Sequence, residues 1–131
     1  MLAVDTTAEF GSIAIAEDGR VIEVVPLHSP EGFGQVLFGE VERLLARRGW
    51  AAGEIDCFAA AAGPGSFTGV RVGLAAAKGL AEAAGKRAAA ISNLRAMASF
   101  GAGPLRAPIL DARRGEVYAG LFDAHLREAG P

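Results

Sequence analysis

The segment Gly63-Pro64-Gly65-Ser66-Phe67-Thr68-Gly69 carries the sharpest chemical signal in the chain. It sits between an apolar run and a helix-forming stretch. Its glycines and proline predict a tight turn with backbone N–H groups at a helix N-terminus, a geometry suited to an anion. Gly63, Gly65, Ser66, Thr68 and Gly69 are therefore candidate nucleotide- or anion-binding residues. The loop is no Walker motif, since Val70 and Arg71 follow Gly69 where a lysine would be needed, and it lacks dinucleotide-fingerprint spacing. A purely structural strand-to-helix turn explains the same composition. Asp5-Thr6-Thr7 follows the first apolar stretch and offers a carboxylate and two hydroxyls, which could face phosphate or a metal through water. A turn capped by its own Asp and Thr side chains is the competing reading.

Other reactive residue types point away from catalysis. The one cysteine, Cys57, lies in the run Cys57-Phe58-Ala59-Ala60-Ala61-Ala62 with no histidine near it in sequence, so a buried structural thiol is expected. An intrachain disulfide and a thiolate cluster are both excluded by that count. His28 and His125 stand far apart, each without a companion ligand at i+3 or i+4, so no metal site is expected. No Ser-His-Asp or Cys-His arrangement can be argued from spacing, and no residue is assigned a catalytic role. Asp111, Arg113, Glu116 and Tyr118 belong to a charged turn in which Arg113 could pair locally with Glu116.

These residues need a scaffold, and the patterning supplies one. Leu2 to Asp5 reads as a short buried strand, Gly11 to Ala16 as a second, and Val21 to Leu27 as a third; Asp18-Gly19 is the hairpin turn between the last two. From Glu31 the period changes: Leu37, Val41, Leu44 and Leu45 mark an amphipathic helix stopped by Gly49, with Ser29-Pro30-Glu31 as its opening. Ile55 to Ala62 reads as a strand covered on both faces. A helix over Val70 to Ala84 follows, then a strand over Arg87 to Ile91 and a helix over Leu94 to Ser99 capped by Ser92-Asn93. Pro108 to Ala112 and Glu116 to Phe122 are two further strands. The order predicts an α/β mixed sheet flanked by helices, matching half of an actin-like or ribonuclease-H-like domain. The expected division is a lobe over 1–104 and the start of a truncated second lobe over 105–131.

The Val70–Ala84 helix carries only Arg71, Lys78 and Glu82 as charges, in a stripe about 40° wide at roughly 100° per residue. Gly69, Gly73, Ala76 and Gly79 recur at spacings of three and four, which permits close backbone approach. The helix is expected to pack on its own sheet and on a partner helix, with Phe38, Val41, Leu45, Val72, Gly73, Ala76, Gly79 and Leu80 at that interface.

Composition sets the outer bounds. Of 131 residues, 51% are apolar and 21% charged, enough for a packed core, and the net charge is −2. Basic residues never run longer than a pair, so an independent nucleic-acid module is not expected and any RNA would be reached through a partner. The start Met1-Leu2-Ala3-Val4-Asp5 lacks a basic region, and no apolar stretch reaches the roughly 20 residues of a bilayer span. The cytoplasm is the expected home.

Together these segments resemble the TsaB (YeaZ) family. The shared features are the turn Asp5-Thr6-Thr7, the Gly-Pro-Gly-Ser-Phe-Thr-Gly-Val-Arg-Val-Gly motif at Gly63 to Gly73, the Ala77-to-Ala81 stretch Ala-Lys-Gly-Leu-Ala, and Asp-Ala-Arg-Arg-Gly-Glu-Val-Tyr at Asp111 to Tyr118. The resemblance covers nearly the whole chain. It implies the two-lobed fold of the actin, sugar-kinase and chaperone-ATPase superfamily. It also implies a non-catalytic scaffold for a TsaD-type catalytic paralogue, which transfers a threonylcarbamoyl group to the tRNA adenosine beside the anticodon. A TsaE-type ATPase joins that assembly, so ATP or ADP belongs to the complex rather than to this chain. Family members pair with TsaD, or with themselves as homodimers, through helices that here span about Gly34–Arg48 and Val70–Ala84. The competing classes are a metal-dependent glycoprotease-like enzyme or kinase of the superfamily, and a stand-alone nucleotide-binding module resting on Asp5–Thr7 and Gly63–Gly69.

Overall fold

The computed structural model describes residues 1–130; Pro131, at the end of the expected second-lobe start, lies outside the described residues. Alternating side chains explain the first layer. In β1 (Leu2–Asp5), β2 (Phe10–Glu17) and β4 (Cys57–Ala61), the residues Leu2, Val4, Ile13, Ile15, Phe58 and Ala60 pair in register and are buried on one face. With β3 (Arg20–His28) and β5 (Arg87–Ile91) these strands form one five-stranded sheet, ordered β3-β2-β1-β4-β5. The first three strands run antiparallel as a meander, while β1-β4 and β4-β5 are parallel. Asp18 and Gly19 take positive φ values of 52° and 76° at the hairpin tip, as the sequence reading requires.

Two helices cover the apolar face. α1 (Leu37–Arg48) contributes Leu37, Val41, Leu44 and Leu45 to the core, and α2 (Phe67–Ala84) contributes Ala76, Ala77 and Ala81. Truncating Phe58, fully buried beneath them, should cost about 3–5 kcal/mol. At the C-terminal end of α1, Arg47 and Arg48 reach Glu23 of β3 at 2.7 and 2.9 Å. The Arg47 hydrogen bond, helped by Arg48, holds the Glu23 carboxyl below its ordinary range.

Several boundaries differ from the sequence reading. The first helix begins at Leu37, because Gly32 takes a φ of 101° and residues Phe33–Gln35 form a separate 3-10 turn. Ser29-Pro30 therefore caps nothing, and Val36 precedes α1 without a side-chain cap. α2 starts at Phe67, since Ser66 Oγ accepts from Gly69 N at 3.2 Å and caps it there. The short helix α3 (Asn93–Ala98) is capped by Ser92 alone. Beyond it, β6 (Leu105–Arg106) pairs with β9 (Phe122–Asp123), and β7 (Ile109–Arg113) pairs with β8 (Glu116–Ala119). The single strand expected over Glu116 to Phe122 is thus two, separated at Gly120 and Leu121.

Candidate functional site

The C-terminal ends of the parallel strands bring the two candidate motifs together. Asp5 Oδ1 accepts from Thr7 N at 2.9 Å and from Thr7 Oγ1 at 2.6 Å, an aspartate-capped turn. Thr7 O then accepts from Ser66 N at 2.7 Å, tying this turn to the glycine loop. Thr6, only 1% exposed, donates from Oγ1 to Gly69 O at 2.6 Å. Asn93 closes the circle. Its Nδ2 donates to Thr7 Oγ1 at 2.7 Å, its Oδ1 accepts from Gly63 N at 3.0 Å, and its backbone N donates to Gly63 O at 2.9 Å.

Small residues make this approach possible. A Cβ on Gly65 would sit 2.7 Å from Thr7 O, and one on Gly73 would sit 2.7 Å from Thr6 Oγ1. A Cβ on Gly69 would collide with the Thr6 carbonyl oxygen. Gly63 precedes a cis proline at φ 97°. The loop is therefore a buckle: the N–H groups of Gly63, Ser66 and Gly69 are bonded within the chain. The sequence marks Asn93 only as part of the α3 cap. No local pattern marks its loop bonds, because the parallel β4-β5 pairing is what delivers it to the loop.

The sequence-predicted anion set divides across this buckle. Asp5, Thr7, Gly65 and Ser66 line a cleft of about 970 Å³. Thr6 and Gly69 lie buried behind it, and Thr68 opens on the far side of the loop, beside Glu31 and Val72. The cleft floor is the second sheet face, paved by Ala3, Ala14, Ala59 and Ala61. Asp111, Arg113 and Tyr118 of the β7-β8 hairpin form its opposite wall, while Glu116 is exposed outside it. Arg113 and Arg114 adopt φ values of 66° and 56°, and Arg113 N donates to Asp111 Oδ1 at 2.7 Å. That backbone bond, with the Arg113–Glu116 strand pairing, replaces the side-chain ion pair expected there.

The remaining candidates separate by burial. Val41, Leu45, Gly73 and Ala76, expected at a partner interface, are buried in this chain's own core. Gly69 and Gly73 serve close approach to β1 rather than to another helix. Val72 and Leu80 are half-buried, whereas Phe38 and Gly79 are exposed. The outward face of α2 also presents Phe67, 75% exposed, with the Arg71 guanidinium 5.2 Å from its ring centroid. Cys57 is partly exposed rather than buried, because it opens β4 on the sheet face that α1 and α2 do not cover. His28 stacks on Phe10 at 4.6 Å and stands 3.8 Å from Glu9, while His125 N donates to Asp123 Oδ1. Among the described residues no group of three His, Cys, Asp or Glu side chains converges as metal ligands.

Comparison with known proteins follows the same outline. The family model described as "TsaD: tRNA N6-adenosine threonylcarbamoyltransferase" matches residues 19–129. The tRNA threonylcarbamoyladenosine biosynthesis protein TsaB of Escherichia coli (strain K12) is 39% identical over 123 residues, covering 90% of this chain and 52% of that protein. The tRNA N6-adenosine threonylcarbamoyltransferase of Methylorubrum extorquens (strain PA1) is 42% identical over 84 residues, covering 64% of this chain and 24% of that protein. The solved structure of YeaZ from Pseudomonas aeruginosa superposes with a TM-score of 0.81 at 33% identity, covering 99% of this chain and 64% of that one. The fold is thus the actin-like, ribonuclease-H-like mixed sheet. The chain spans about half the length of the curated TsaB relatives it matches.

Proposed function

The chain belongs to the TsaB (YeaZ) family, within the broader family whose model carries the TsaD description, and from that membership we propose its work. It acts in making threonylcarbamoyladenosine in tRNA, as a non-catalytic subunit that pairs with a TsaD-type catalytic paralogue. The TsaE-type ATPase and the tRNA are reached through that assembly, in the cytoplasm, and ATP or ADP is a ligand of the complex. Residues 105–130 are the beginning of a second lobe. No helix among the described residues is long and apolar enough to cross a membrane.

The observation that carries this reading is the buckle. The carboxylate, hydroxyls and amides that could cradle a phosphate are bonded mainly to one another across β1, the glycine loop and α3. Such a loop fixes α2 on the sheet, and the outer surface of α1 and α2 stays open to a partner. The residues at stake there are Phe38, Phe67, Ala75 and Gly79, all exposed.

Co-purification with a TsaD-type subunit, followed by sizing, tests the proposal. A one-to-one complex that Ala75→Glu breaks without lowering the melting temperature supports it. A folded chain that never enters a complex refutes it. The nucleotide-binding alternative rests on the cleft, where Asp5 and Ser66 face Arg113 across about 970 Å³. Calorimetric titration with ATP decides it: heat abolished by Asp5→Ala favours a nucleotide site, and ATP turnover by the isolated chain overturns the scaffold reading.

A further inference from the structure

The cleft over the second sheet face has the volume of a small-molecule site, but its charge does not suit a phosphate. Its ionisable lining is Asp5, Glu9, Asp111 and Arg113, a formal excess of two negative charges. Asp5 and Asp111 belong to opposite walls, and each commits one carboxylate oxygen to its own turn. Asp5 Oδ1 accepts from Thr7, and Asp111 Oδ1 accepts from Arg113 N at 2.7 Å. The second oxygen of each has no hydrogen-bond or ion-pair partner among the described residues. The floor is apolar: Ala14, Ala3 and Ala59 stand directly opposite one another on β2, β1 and β4, offering methyl groups and no polar side chain.

We propose that this cleft binds an aliphatic diamine or polyamine, with one ammonium at Asp5, a second at Asp111 and the methylene stem along the alanine floor. The sign of the lining selects a cation, and two carboxylates on opposite walls select one with two charged ends. A floor without polar side chains suits a hydrocarbon stem and leaves a nucleobase or sugar without partners. Tyr118 and Phe100 add aromatic faces, which attract an ammonium. Arg113 then opposes the ligand, the reverse of its part toward a phosphate. The inference concerns the sheet face opposite α1 and α2, so it stands or falls apart from the partner reading.

Calorimetric titration of the whole chain with spermidine at low salt tests it, with butylamine and ATP as comparison titrants. Spermidine should bind more tightly than butylamine, and added salt should weaken it. Asp5→Asn should weaken binding by about tenfold, and Asp111→Asn, at a more exposed position, by about threefold. Both asparagines keep the Oδ1 acceptor that fastens the turn, and circular dichroism checks that the fold is unchanged. Arg113→Gln should tighten spermidine by about threefold, a change opposite to the one an anion site would give. It leaves both carboxylates in place and decides by itself should an asparagine variant unfold. No spermidine heat from the folded chain overturns the inference, as does binding that butylamine equals or that Asp5→Asn and Asp111→Asn leave unchanged. ATP heat that Arg113→Gln weakens overturns it in favour of the nucleotide alternative.

Discussion

Adding one methyl group to Gly69 should unfasten the buckle, whereas the same addition at Gly79 should stabilise the chain. Both glycines lie inside α2, where alanine is intrinsically favoured by about 1 kcal/mol. At Gly79 a Cβ meets nothing within 4 Å, so that preference is realised as about 0.5–1 kcal/mol. At Gly69 the Cβ would collide with the carbonyl of Thr6, a buried residue in the turn that follows β1. Overpacking of this kind costs typically about 1–3 kcal/mol, and a displaced helix end also breaks the buried Thr6–Gly69 hydrogen bond, worth a further ~1–3 kcal/mol. Allowing for the helix preference, Gly69→Ala should lose roughly 1–5 kcal/mol. At roughly 4 °C per kcal/mol for a domain of this size, its melting temperature should fall by roughly 4–20 °C while that of Gly79→Ala rises by about 2–4 °C. Thermal unfolding followed by circular dichroism reads both. Two glycines shifting in the same direction, or Gly69→Ala melting no lower than wild type, would refute the account of the loop.

Two further outcomes follow from the same contacts. Asn93→Ala removes the bonds to Thr7 Oγ1 and Gly63 N, leaving Gly63 N unpaired and Thr7 Oγ1 with only its bond to Asp5, and should cost about 1–3 kcal/mol in chemical denaturation. Glu23 has a folded pKa below its unfolded value, chiefly through the Arg47 hydrogen bond, so its contribution is present above the unfolded carboxylate pKa. That contribution is lost as pH falls through the depressed folded value. Melting temperature should therefore drop less between neutral and acid pH in Glu23→Gln than in wild type, and added salt should shrink the gap. Equal slopes in the two proteins would rule this out.

The glycine loop and the hairpin at Asp18-Gly19 were legible because their backbone demands are written in residue type. The start of α1 was not, since Ser29-Pro30-Glu31 carries a sound capping signal that Gly32 and Gly34 override. The orientation of α2 was half legible. At about 100° per residue, Gly69, Gly73 and Ala76 lie nearly opposite Arg71, Lys78 and Glu82, which already places the small stripe against the sheet. That phase turns Gly69 and Gly73 toward Thr6 and Val4 and away from a partner helix. Asn93 was illegible for a different reason. Its partners, Thr7 and Gly63, are 86 and 30 residues away, and only the parallel strand order makes them neighbours.

The placement of β1 at the centre of the sheet also governs how the chain is made. β1 is complete at Asp5 and can pair at once with β2, but its other edge waits for β4, which begins at Cys57. At the usual synthesis rate of roughly 5–20 residues per second, that edge stays open for roughly 3–10 seconds on the ribosome. The apolar side chains Leu2 and Val4 lie on a strand whose parallel partner does not yet exist. The buckle closes later still, once Asn93 has emerged. During translation this lobe is therefore a meander seeking its second half, and its early strands are a natural place for a chaperone to bind.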